Sequence, residues 1–149
     1  MKTLKENWLQ AAIQVLQDRI KTAEKAMKQA EEATQGEEKS SAGDKYETAR
    51  AMSQIERDMN AHQLDKALQE LRFLEKLDIS HKNKSVLGAG IRSKNTFYFI
   101  SIGLGKIEFS GQHCVLLSPS SPLGKLLLNK SSGEEIEFNG QSILIEEVF

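Results

Sequence analysis

From Leu4 to Gln35 the chain contains neither proline nor glycine, and Ala, Gln, Glu and Lys dominate it. These are good helix formers. Apolar or small residues recur at Leu9, Ile13, Leu16, Ile20, Ala23, Met27, Ala30 and Thr34. The steps alternate between four and three, which is the 3.5-residue repeat of a coiled coil. Side chains shrink along this seam from Leu and Ile to Ala. Small seam residues let two helices approach closely, so a narrow pairing is expected toward the far end.

The only glycines in the first 87 residues are Gly36 and Gly43, and the polar stretch between them reads as a connection. A second helix is predicted from Asp44 to about Leu77. Its expected seam is Met52, Ile55, Met59, Gln63, Ala67, Leu71, Leu74 and Leu77, with polar His62 and Gln63 in its middle. Folding back brings Met27 near Met52, Ile20 near Met59 and Leu9 near Leu71. Two helices of roughly 32 residues would span about 48 Å at 1.5 Å per residue. Residues 1–80 therefore read as an antiparallel coiled-coil hairpin with an acidic tip at 36–47.

After the polar, basic linker His81-Lys82-Asn83-Lys84-Ser85, glycine and β-branched residues appear and runs shorten. Strands are expected at Ser85–Arg92, Thr96–Ile102, Lys106–Phe109, Cys114–Ser118, Glu134–Phe138 and Ser142–Val148. Asn139-Gly140 marks a tight hairpin between the last two. One short helix is expected at Pro122–Leu128, with Ser121 as its cap, Pro122 at its first position, and Leu123, Leu126 and Leu127 on its apolar face. The fold class is α+β: a helical hairpin, then a small antiparallel sheet domain over residues 85–149.

Lys and Arg number 20 against 21 acids in 149 residues, so no basic footprint argues for direct DNA binding. Cys114 is the single cysteine and sits in an apolar run, which reads as a buried, inert thiol. No signal-peptide core or run of 18 apolar residues occurs, so a cytoplasmic protein without a membrane span is expected. His62, His81 and His113 are scattered and form no metal-ligand pair. The glycines at 88, 90, 103 and 105 lie among strands and read as turns or bulges, not phosphate loops.

Asp44-Lys45-Tyr46-Glu47 carries two readings. Asp at a helix cap with Glu three residues later is a capping-box-like start, favoured by the helix dipole. The same two carboxylates, one turn apart at an exposed apex, offer oxygen ligands to a hard divalent cation such as Mg²⁺. Two are too few to hold it tightly without a partner supplying the remaining ligands.

Gly43-Asp44-Lys45-Tyr46-Glu47-Thr48-Ala49-Arg50-Ala51 resembles the tip motif Gly-Asp-x-x-Glu-Asn-Ala-Glu-Tyr of the Gre transcript-cleavage factors of bacterial RNA polymerase. A second resemblance is Ser121-Pro122-Leu123-Gly124-Lys125-Leu126-Leu127-Leu128-Asn129-Lys130, followed by two strand runs ending in a hydrophobic-Glu-Val sequence. The resemblance implies a C-terminal domain of the FK506-binding-protein-like fold docking at the rim of the polymerase secondary channel, with Ser121 and Pro122 on the partner-binding side. It also implies that the hairpin enters the channel. There Asp44 and Glu47 would help hold a second Mg²⁺ for hydrolysis of backtracked RNA, near the nascent 3′ end. The chain would then be no enzyme itself, but would stimulate the nuclease activity of its partner. The sequence departs from the motif at Thr48, Arg50 and Ala51, where the family has Asn, Glu and Tyr. Arg50 places a cation where the family has an anion, and Tyr46 brings an aromatic inside the motif; both would modulate the tip.

Other functions remain open on the residues. One is a Gre-like channel regulator without cleavage stimulation, and another is a coiled-coil interaction protein. Peptidyl-prolyl isomerase chemistry would need an aromatic-lined concave pocket. Phe97, Tyr98, Phe99 and Phe109 are the local candidates, and strand alternation sends Phe97 and Phe99 to one face as core.

Overall fold

A computed structural model describes residues 3–37 and 43–149, with 33–37 and 43–46 described by backbone only. Helix α1 (Leu4–Glu37) and helix α2 (Gly43–Glu75) precede seven strands and a short helix. The chain divides into two compact units, one of Met1–Ile13 with Phe73–Phe149 and one of Gln14–Arg72.

In the Gln14–Arg72 unit the expected stripe of α1 is the protected one from Leu16 to Ala30, and the Thr34 side chain lies outside the described residues. Leu16, Ala23 and Ala30 are buried seven residues apart, with Ile20 and Met27 half-buried between them. The stripe expected on α2 is corrected over its first half. Met52, Ile55 and Met59 are 56, 53 and 58% exposed, and Gln63 and His62 are also exposed. The protected positions are instead Ser53, Arg57, Asn60, Leu64, Ala67 and Leu71, stepping four and three without a break. Geometry, not hydrophobicity, sets this face: a straight 3.5-residue register extended from Ala67 and Leu71 passes through 60, 57 and 53. Met52 and Met59 therefore stand largely in solvent and not in the buried seam expected of them. Arg57 buries its stem in the seam, and its Nε has no hydrogen-bond partner.

The other unit holds a five-stranded sheet in the order β3-β4-β2-β1-β7 and a separate β5–β6 hairpin. The strands are β1 (Gly90–Ser93), β2 (Thr96–Ile100), β3 (Gly105–Phe109), β4 (Gln112–Leu117), β5 (Glu135–Phe138), β6 (Gln141–Leu144) and β7 (Glu147–Val148). The sheet is not wholly antiparallel. β4 runs parallel to β2, with Phe97 beside Cys114 and Phe99 beside Leu116, because the β3–β4 hairpin swings outward and inserts its second strand next to β2.

Two expected strands are shorter than their apolar runs. Ser85 to Ala89 is turn, because Ser85 clasps the end of helix α3 (Pro122–Leu127). Its Oγ donates to Leu127 O and accepts from Lys130 N at 2.8 Å, its own N donates to Lys130 O at 2.9 Å, and its carbonyl accepts from Asn129 N at 2.9 Å. The run Ser142–Val148 breaks at Ile145-Glu146, where the chain leaves the β5 hairpin to pair with β1. The Asn139-Gly140 turn is as expected, with φ of 51° and 75°.

Ile91, Ile100 and Val148 on one face of the sheet, with Ala89, Ile145 and Ile136 of the β5–β6 hairpin, form one core with Leu127 and Leu123 of α3, while Leu126 faces out at 41% exposure. Phe97 and Phe99 share the opposite face, as alternation requires. Trp8 of α1 covers them, its ring centroid 5.3 Å from Phe97 and 5.8 Å from Phe99.

Candidate functional site

The acidic stretch lies at the start of α2. The helix begins at Gly43, so Asp44 is within its first turn rather than ahead of it as a cap. Glu47 follows one turn later with its side chain exposed, and Arg50, also exposed, lies three residues beyond. Residues at this spacing are neighbours on a helix surface. The side chains of Asp44 and Tyr46, and all of residues 38–42 of the expected tip, lie outside the described residues. Among the described residues no three His, Cys, Asp or Glu side chains converge as a metal site. Asp44 and Glu47 can supply two oxygen ligands, a partial set that fits Mg²⁺ only where another molecule holds the remainder.

Ser121 and Pro122 open α3. The Ser121 hydroxyl accepts from Gly124 N at 3.0 Å and donates to Ser118 O at 2.8 Å, so it is committed to capping. Gly124 permits this closeness, since a Cβ there would sit 2.0 Å from Ser118 O. Pro122 itself is exposed.

A concavity lies within the sheet-bearing unit: a cleft of about 640 Å³ whose apolar walls are Leu4, Ile79, Phe97 and Phe149. Lys5 lies in its wall, buried, donating from Nζ to Ser80 O at 3.0 Å and Gly88 O at 3.2 Å. The ammonium also sits 5.8 Å from the centroid of the Phe149 ring. Burial lowers its pKa from 10.5, the Lys82 charge lowers it further, and Asp78 opposes both. Asp78 is held well below the carboxylate range, chiefly by its hydrogen bond from Lys82. At the rim, Arg92 meets Glu147 at 3.3 Å and also pairs with Glu146. Cys114 is fully buried, and burial pushes its thiol far above 9.0, in keeping with the inert reading. The three histidines are exposed.

The chain is similar to a transcription factor of known structure. The solved structure of the transcription factor Gfh1 aligns over 93% of this chain and 93% of its own, at 14% identity and a TM-score of 0.36. No family model matches the sequence, and no curated protein does. Among the described residues no helix is long and apolar enough to cross a membrane.

Sequence reasoning missed Lys5, Trp8, Arg92 and Phe149. A signal for two of them was present. Lys5, Trp8, Ala12 and Leu16 step by three and four along α1, and all four are buried. The lone tryptophan in a charged segment was the mark of a helix end docked on something.

Proposed function

We propose that this chain is a Gre-like transcription factor that binds RNA polymerase and places Asp44 and Glu47 at the polymerase's active centre through the secondary channel. The observation that carries this reading is the position of the two acids. They occupy the first turns of α2, immediately after the connection between two long helices, and Glu47 is solvent-exposed. An element built this way presents carboxylates without enclosing a site of its own.

In this reading the two carboxylates contribute oxygen ligands and the polymerase contributes the rest. A Mg²⁺ shared in that way would lower the pKa of a bound water and so favour hydrolysis of a backtracked transcript. Pro122, exposed at the start of α3, would contribute to the docking face of the other unit. The chain would be an accessory factor acting in the bacterial cytoplasm, and no catalyst by itself.

The test is a cleavage assay on stalled, backtracked polymerase complexes. Asp44→Asn with Glu47→Gln should lower RNA shortening at least about tenfold, the usual effect of disturbing a metal's ligand environment. Retention of full cleavage by the double variant would remove the metal role.

Arg50 favours a second reading. It is exposed one turn from Glu47 and offers a cation close to the carboxylates. A channel-binding regulator that does not promote cleavage would compete with a genuine cleavage factor and leave RNA length unchanged.

A further inference from the structure

The five-stranded sheet ends on β3, which pairs with β4 on one side and, among the described residues, with no strand on the other. The two strands are joined by the two-residue turn Ser110-Gly111, with φ of 50° and 78°. Both values are positive, which marks the tight hairpin turn whose closing bond runs from Gln112 N to Phe109 O. Hydrogen-bonded pairs then recur at every second position, at Phe109, Ile107 and Gly105. The N–H and C=O groups of Lys106 and Glu108 therefore point away from β4, along an open edge where both side chains are exposed. Such an edge is a ready template for another strand.

The charges decide which strand the edge accepts. A lysine in an edge strand normally guards it, because an incoming strand must face the charge. Lys106 and Glu108 lie two residues apart, so they share one face of the strand, with Ile107 on the other. When a second copy of β3 lies antiparallel to the first, centred on Ile107, Lys106 of each copy falls opposite Glu108 of the other. Ile107 then meets its counterpart on the reverse face. The outward peptide groups require the same register, because Lys106 and Glu108 exchange N–H and C=O bonds across each pair. Sliding by two residues either way sets Lys106 against Lys106 or Glu108 against Glu108, and like charges directly opposite repel. Phe109, 37% exposed, falls opposite Gly105, where no atom lies within 4 Å of the position at which a side chain would begin. His113 Nδ1 is 4.0 Å from Glu108 Oε2, beyond hydrogen-bond distance, so it does not tie the carboxylate down.

We propose that β3 is a self-association edge, on which a second copy of this chain adds its own β3 antiparallel about a two-fold axis between the two Ile107 residues, with Lys106 and Glu108 paired across the join. The contact is short, so the association belongs to the weak class and depends on concentration. Neither the acidic stretch nor Pro122 takes part in it, so the edge stands or falls independently of polymerase binding.

The experiment follows the full-length chain by sedimentation equilibrium over a concentration series, where a dimer with a dissociation constant on the order of 1 mM or tighter is expected. Lys106→Glu and Glu108→Lys each turn both attractive pairs into repulsive ones, and each should weaken self-association about tenfold or more. Mixing the two variants should restore it, because the lysines of one then face the glutamates of the other. Both positions are exposed, so each variant alone should keep the parent's circular dichroism and thermal midpoint and show that the fold is intact. A chain that stays monomeric throughout the series overturns the proposal and leaves the edge to a strand of another protein. Dimers that neither variant weakens place the contact elsewhere and overturn it too. So does a mixture that associates no better than the separate variants.

Discussion

A Cβ added to Gly90 would lie 2.5 Å from Cε2 of Phe149. The contact cannot relax by moving the ring's backbone away, because Gly90 N donates to Phe149 O at 2.8 Å and Phe149 N donates to Gly90 O at 2.9 Å. The glycine is therefore required by space, not by an unusual φ. Gly90→Ala should cost about 1–3 kcal/mol, the range for overpacking a well-filled site. Phe149→Leu in the same background should return part of that loss. Urea denaturation of the four proteins in this cycle measures the coupling; additive costs would show that the ring is not what excludes the methyl.

Trp8 is 1% exposed and touches the rings of Phe97, Phe99 and Phe149. Trp8→Ala should cost about 3–5 kcal/mol, as for other buried aromatic truncations. Trp8→Phe should cost less, because it keeps a ring against Phe97. Circular dichroism must report the transition, since the variants have no tryptophan left to follow. A loss below about 1 kcal/mol in Trp8→Ala would mean that the first turns of α1 are not part of this unit's core.

The α1 stripe was legible because its apolar residues and its buried residues coincide. On α2 they part company. Met52, Ile55 and Met59 attract a reading based on hydrophobicity, yet Ser53, Arg57 and Asn60 hold the protected face. The downstream anchor residues Ala67, Leu71 and Leu74 fix the register, and the upstream residues follow whatever their chemistry. In the sheet, turns such as Asn139-Gly140 are local and were readable, whereas the parallel pairing of β2 with β4 is decided by where a hairpin lands. The cleft was least legible. Lys5 reaches Ser80 and Gly88 across 75 and 83 positions of chain, and no local pattern encodes such a contact. The start of α2 at the acidic stretch was readable from Gly43 and Asp44, but a helix start alone does not say what its carboxylates do.

The corrected seam makes its own forecast. Ala67 is 5% exposed, so Ala67→Leu should overfill the space between the helices and cost about 1–3 kcal/mol. Ile55→Gln and Met59→Gln should stay within about 0.5 kcal/mol of the parent, as surface changes do. Thermal denaturation of the three variants checks this. Equal losses at Ile55 and Ala67 would restore the stripe expected from hydrophobicity.

Cys114 gives the alkaline limb of stability a defined sign. Burial raises its folded pKa above the ordinary 9.0. Below that value both states hold the proton, and the contribution is fully present. As pH climbs past 9.0 the unfolded thiol ionises while the folded one does not, so stability falls toward the folded value. The slope from this group approaches about 1.4 kcal/mol per pH unit. Cys114→Ala, whatever its cost at neutral pH, should flatten the decline by that amount. A disulfide reagent should likewise modify Cys114 only at the rate of unfolding. Rapid modification of the native protein would contradict the burial of this side chain.

Arg50 bears most directly on which functional reading holds. It lies three residues beyond Glu47 on the exposed surface of α2, where a helical turn brings the two side chains within reach. A cation there competes with a divalent metal for the same carboxylate, and it also repels the metal directly. Arg50→Glu removes both effects and adds an oxygen donor on that face. If the chain assists cleavage, this variant should stimulate RNA shortening in backtracked complexes by about twofold to fivefold, consistent with one exposed charge reversal. The gain should shrink as salt rises, because exposed charges are screened over about 10 Å at 0.1 M. If the chain is instead a regulator without cleavage activity, Arg50→Glu should leave RNA length unchanged. It should then alter only the concentration at which the chain competes with a cleavage factor. Measuring both quantities on the same polymerase preparation separates the two readings, since one moves the product and the other moves the competition curve.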